Sequence, residues 1–153
     1  MAINITPERN EDISLVIWLR SLFSGVLADD QVLDGFPETS LKLPSVAAEW
    51  DTVDGYPVEI GNRKWTKERR WYIDIFAVSK SQRDEYAFLI FNALDEGIPV
   101  YDYNEGFPPV VATQVETLIP ISKRIQNMEV IPELSERLYY RATITFVASD
   151  GKF

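Results

Sequence analysis

A chain of 153 residues with 46% hydrophobic and 12% aromatic side chains can bury a core and fits one ordinary domain. Its complete lack of histidine and cysteine excludes Ser-His and Cys-His nucleophile pairs, imidazole or thiolate zinc sites and disulfides. Its net charge of −9 argues against sequence-reading nucleic-acid binding, which needs a broad basic face.

No apolar run is long enough for a membrane-spanning helix, and "MAINITPERNED" lacks the basic-then-apolar order of a secretory signal, so a soluble protein that stays where it is made is expected. The first element predicted is a helix over about 7–24. Thr6 caps it, Pro7 takes its first position, Glu8 stands in its first turn, and Leu15, Trp18, Leu19 and Leu22 repeat on one stripe until Gly25. The polar stretch "LADDQVLDGFPETS", broken by Gly35 and Pro37, reads as a loop.

Short strands are expected at Leu43–Trp50 and Tyr56–Ile60, separated by "DTVDG", and a further one at Trp71–Val78. In the last of these Trp71, Ile73, Ile75 and Ala77 share the face assigned to the core. Asp74 stands on the opposite face, which must then be only partly buried or give Asp74 a partner. At Ser81 the period switches. Ser81 to Asp84 resembles a capping box, Ala87, Ile90, Phe91 and Leu94 line one side of a helix, and Gly97 closes it. Ile73, Ile75, Ile90, Phe91 and Leu94 are expected to pack together.

A brief extended segment and a turn-rich loop follow in "IPVYDYNEGFPP", then strands at Val110–Ile125 and Leu138–Ser149, with "QNMEVIPELSE" between them as a loop. The final strand alternates cleanly, with Tyr140, Ala142, Ile144, Phe146 and Ala148 on its buried face. No repeat or linker divides the chain. The expectation is a single α+β domain over 1–153, with a mostly antiparallel sheet packed against two main helices, the sheet and second helix filling about 43–149.

The chemistry that survives the missing residue types is carboxylate, lysine or tyrosine acid/base work and oxygen-ligand metal binding. The acidic pairs Asp29-Asp30, Asp84-Glu85 and Asp95-Glu96 are adjacent in sequence and diverge on a helix or strand, so they read as surface or cap residues. The seven glycines form no nucleotide-binding loop. No catalytic, cofactor-binding or metal site is expected.

Charge is unevenly spread: net −8 over residues 1–62, +5 over 63–83 and −6 over 84–153. The basic island "RKWTKERR" reads as the exposed tip of a hairpin. Arg63, Lys64, Trp65, Lys67, Arg69 and Arg70 are therefore candidates for contact with an acidic protein surface.

The stretches "WYIDIFAVSKSQRDEYAFLIFNAL", "IPVYDYNEGFPP" and "LYYRATITFVAS", within residues 45–149, resemble the tail-terminator or head-to-tail joining proteins of long-tailed bacteriophages. That resemblance implies a non-enzymatic virion structural protein without cofactors, made in the host cytoplasm. Such proteins assemble with themselves as a ring, usually a hexamer, at the neck, and meet tail-tube and neck proteins. DNA passes through the ring without specific recognition, and no membrane is involved. Two other classes stay open: another assembly or adaptor module, and a carboxylate-based enzyme such as a glycosidase.

Overall fold

The computed structural model describes residues 4–35, 42–57, 65–104, 113–128 and 140–149, with backbone alone at positions 56, 57, 65, 66 and 128. Its elements are α1 (Pro7–Leu22), β1 (Val32–Asp34), β2 (Ser45–Pro57), β3 (Trp65–Ala77), α2 (Lys80–Ala93), β4 (Ile98–Tyr101), β5 (Gln114–Met128) and β6 (Tyr140–Ser149). The six strands form one sheet in the order β1-β2-β3-β6-β5-β4. β1 runs parallel to β2, and every other pair is antiparallel.

The expected sheet packed against two main helices is overturned. Among the described residues the molecule is mostly sheet, six strands of mixed direction curled into a half-barrel, beside two α-helices. The discrepancy begins at "DTVDG". Instead of a break between strands, the segment lies inside β2, which runs through it for 13 residues, and β3 is equally long because it starts at Trp65 rather than Trp71. Cross-strand partners hold these polar residues extended, a tertiary choice that local propensity does not record. Long twisted strands curl, and the curl makes a trough.

One apolar cluster fills that trough. Val46 and Ala48 of β2, Trp71, Ile73 and Ile75 of β3 and Ile144 and Phe146 of β6 meet Leu15 and Leu19 of α1 and Ala87 and Ile90 of α2. Trp71 stacks on Phe146 at 5.3 Å between ring centroids, and Phe23 meets Tyr86 edge-on at 4.9 Å where the two helices approach. On the other face of β3 Asp74 is buried, and its carboxylate accepts from Arg141 at 3.0 Å and Thr143 at 2.6 Å. Of the two readings open for that residue, the partner is the one realised.

α1 begins as expected: Thr6 accepts from the Arg9 amide. α2 begins earlier than expected, with Ser79 as its cap accepting from the Gln82 amide, not with Ser81. Gly97 ends the helical stretch at φ +81°, and a Cβ there would stand 2.8 Å from the Thr117 methyl and 3.1 Å from the Leu118 carbonyl oxygen. Only glycine fits, for conformation and for space alike. β1 lies in the stretch read as a loop, whose residues 36–40 are outside the described residues, as are 58–60 of the second expected strand and most of "QNMEVIPELSE".

α1 sits across the opening of the half-barrel and binds both of its edges. Towards β1, Arg9 pairs with Asp34 at 2.5 Å and Arg20 donates to the Val32 carbonyl at 3.3 Å. Towards β4, the Tyr101 amide donates to Ser14 Oγ at 3.2 Å and the Tyr103 amide to Asn10 Oδ1 at 3.1 Å. Asn10 and Ser14 are buried, and each accepts a hydrogen bond from a backbone amide at this end of the sheet.

Of the residues expected to pack together, Ile73, Ile75, Ile90 and Leu94 are fully buried, whereas Phe91 lies at the margin of the core with Lys123 over its ring. Ile90→Ala is expected to cost about 2 to 5 kcal/mol in urea unfolding, and Phe91→Ala less than the about 3 to 5 kcal/mol of a fully buried phenylalanine. Equal losses from the two changes would show that Phe91 is as much core as Ile90.

Candidate functional site

The basic island divides once it is placed on the fold. Arg63 and Lys64 lie outside the described residues, and Trp65 is placed by its backbone at the start of β3. Lys67 forms an ion pair with Glu8 of α1, and hydrogen bonding to that ammonium, ahead of the helix-end backbone contact, lowers the Glu8 carboxyl below its ordinary range. Arg70 is exposed on the outer face.

Arg69 does not reach outward at all. It is 3% exposed, and its guanidinium donates to the Glu8 carbonyl at 2.9 Å, to Glu11 at 3.1 Å and to Asp12 at 2.9 Å. It lies 4.6 Å from the centroid of the Trp71 ring, whose indole N–H donates to the same Asp12 oxygen at 2.9 Å. The acidic surface that Arg69 meets is the first two turns of its own chain's helix. Alternation explains why: Arg69 shares the inward face of β3 with Trp71, so pairing in the trough is the way its charge survives burial.

Glu11 completes this cluster and has no counterpart among the candidates read from sequence. Burial, above all, pushes its carboxyl up to about 8, with Arg69 acting against the rise and the adjacent Glu116 of β5 adding to it. A carboxyl held up in this way resists ionising beside a second acid, and Asp12 lies against the same guanidinium. The clue lies in the sequence: Glu11 stands one helical turn before Leu15 and so falls on the apolar stripe.

Beside the cluster, a cleft of about 120 Å³ opens between α1 and the β1–β2 edge, lined by Asp12, Asp34, Glu49, Trp50 and Trp71 among others. Its acids are engaged: Asp12 by Arg69 and Trp71, Asp34 by Arg9 and Glu49 by Tyr72 at 3.2 Å. These partners leave the cleft a small indole-walled notch rather than a pair of opposed acids. Among the described residues no group of acids is placed to hold a metal ion.

Among the described residues, two surfaces stand out as able to meet another molecule. The first is apolar: along β5, Val115, Ile119 and, at the register shift, Ile121 are 51%, 62% and 60% exposed. The second is backbone. β1 pairs with β2 only at Val46–Ala48, and β4 pairs with β5 only between Gln114 and Leu118. Among the described residues, no strand covers the outer edge of β2 after Ala48 or that of β5 after Leu118.

The buried cluster supports two expectations. Arg69→Met leaves buried carboxylates without their cation and is expected to cost about 3 to 5 kcal/mol in chemical unfolding; a near-neutral result would show that the acids take up protons at little cost. Because the Glu11 carboxyl is raised in the fold, its stabilising effect is complete below the ordinary value of 4.5 and disappears as pH rises towards about 8. Thermal melts over that range should show the wild type losing stability relative to Glu11→Gln. A difference that stays constant with pH would show that Glu11 is ionised in the fold.

Set against family models and curated proteins, the chain matches none.

Proposed function

We propose that this chain is a structural subunit that works by assembling with copies of itself, as a ring-forming tail terminator or head-to-tail joining protein at the neck of a phage. The single observation that carries the reading is the apolar stripe on β5. Val115, Ile119 and Ile121 stand more than half exposed on one strand, and large aliphatic side chains grouped on a β-surface are the mark of a subunit contact. The neck assignment comes from the sequence resemblance, and the acidic charge of −9 suits a ring through which DNA passes without adhering.

The internal chemistry points the same way. Arg69, Asp74 and Arg83, which are buried, each bond to other side chains of the chain. Such pairs fix a shape; a carboxylate-based enzyme would instead keep two opposed acids open to a substrate. In a virion the subunit would contact copies of itself together with neck and tail-tube proteins.

The test is the mass of the assembly. Light scattering on the eluting protein should give a multiple of the 17.6 kDa chain, and Ile119→Asp with Ile121→Asp should shift it to the single-chain mass while leaving the far-ultraviolet circular dichroism unchanged. A wild type that elutes as one chain at every concentration overturns the reading.

A further inference from the structure

Resting on the reading of a self-assembling subunit, we propose how the copies join: the edge of β2 that no described strand covers pairs antiparallel with the corresponding edge of β5 of the next copy, so that one sheet continues from subunit to subunit. The two edges are long, lie at the outer flanks of the same sheet and belong to strands of opposite direction. β2 is antiparallel to β3, β3 to β6 and β6 to β5, so β2 and β5 run oppositely. A copy turned about an axis along the strands therefore brings its β5 beside β2 of its neighbour in antiparallel sense, the arrangement in which directly opposed residues pair.

The rows of the sheet show which residues would then meet. Following one row across it, Glu49 stands beside Tyr72, Tyr72 beside Thr145 and Thr145 beside Arg124. Repeating the sheet without a shift along the strands places Glu49 of one copy next to Arg124 of the following one. Both side chains are exposed, and Arg124 forms no ion pair among the described residues. The β2 edge also carries Asp51 and Asp54, while the β5 edge carries Arg124 and no acid from Ile119 to Met128. The edges are thus opposite in charge, which favours this pairing over an edge meeting its own kind.

The irregularities of the two strands agree as well. The register of β2 shifts between Trp50 and Thr52 and that of β5 between Pro120 and Ser122, and Thr52 and Ser122 lie in one row through Arg70 and Val147. A bulge bends its strand and raises the local twist, so bulges at one level bend both edges at one height and leave the levels above and below free to pair. An edge of one kind meeting an edge of another is a heterologous contact, which closes into a ring when the rotation closes.

Disulfide trapping tests the pairing directly, since the chain has no cysteine of its own. Opposed α-carbons in an antiparallel pair lie about 4.5 to 5.5 Å apart, inside the range a disulfide spans. Three double variants are made, Glu49→Cys with Ser122→Cys, with Arg124→Cys or with Gln126→Cys, all on the outer face. Under mild oxidation at least one should give a ladder of covalent multimers on a non-reducing gel, strongest for the pair with Arg124→Cys. In parallel, Arg124→Glu should dissociate the assembly, and adding Glu49→Arg should restore it. If light scattering finds an assembly and none of the three pairs cross-links, the edges are not the contact, and the reading of a self-assembling subunit stands without this one. If the wild type is a single chain throughout, both fall.

Discussion

Everything in this molecule depends on the way α1 holds the two edges of a curled sheet together. A half-barrel has an open side, and an open side exposes both its trough and the backbone of its outermost strands. Here a single 16-residue helix answers both needs. Leu15 and Leu19 fill the trough, while Arg9 and Arg20 on one flank and Asn10 and Ser14 on the other bond to β1 and β4. The polar bonds fix where the helix lies, and the apolar contacts supply most of the stabilisation.

The Arg69 cluster gives that helix its register. An apolar stripe alone permits sliding and rotation, because dispersion contacts have little direction. A guanidinium that must find the Glu8 carbonyl, Glu11 and Asp12 together permits one position. The exchange is not free: buried ion pairs lose hydration that their mutual attraction only partly returns. What is gained is a defined alignment of the first two helical turns with the middle of the sheet.

How much of this is legible in the sequence varies with the kind of signal. α1 and most of β6 are readable because their periods are unmixed: Thr6 and Pro7 start α1, and Ala142, Ile144, Phe146 and Ala148 fall on the buried face of β6, although Tyr140, expected beside them, is 44% exposed. Strand extents are not readable. "DTVDG" carries every local mark of a turn, and its place in β2 is dictated by partners such as Arg69 and Arg70, which oppose Val53 and Thr52. β1 escapes because three residues carry no periodicity, and it pairs parallel through a partner distant in sequence. The basic island misleads because charge is usually an exposed feature. Only the alternation that runs from Trp71 back to Arg69 says that one of its arginines points inward.

The position of β6 has a consequence for how the two halves of the sheet hold together. β2–β3 and β4–β5 are hairpins between neighbours in sequence, but β6 enters the sheet between β3 and β5, with Glu68 beside Ser149. Without residues 140–149 the sheet would be two separate pieces and the core would lack Ile144 and Phe146. One ten-residue strand thus joins the two halves of the sheet, and a change that loosens β6 opens both halves at once.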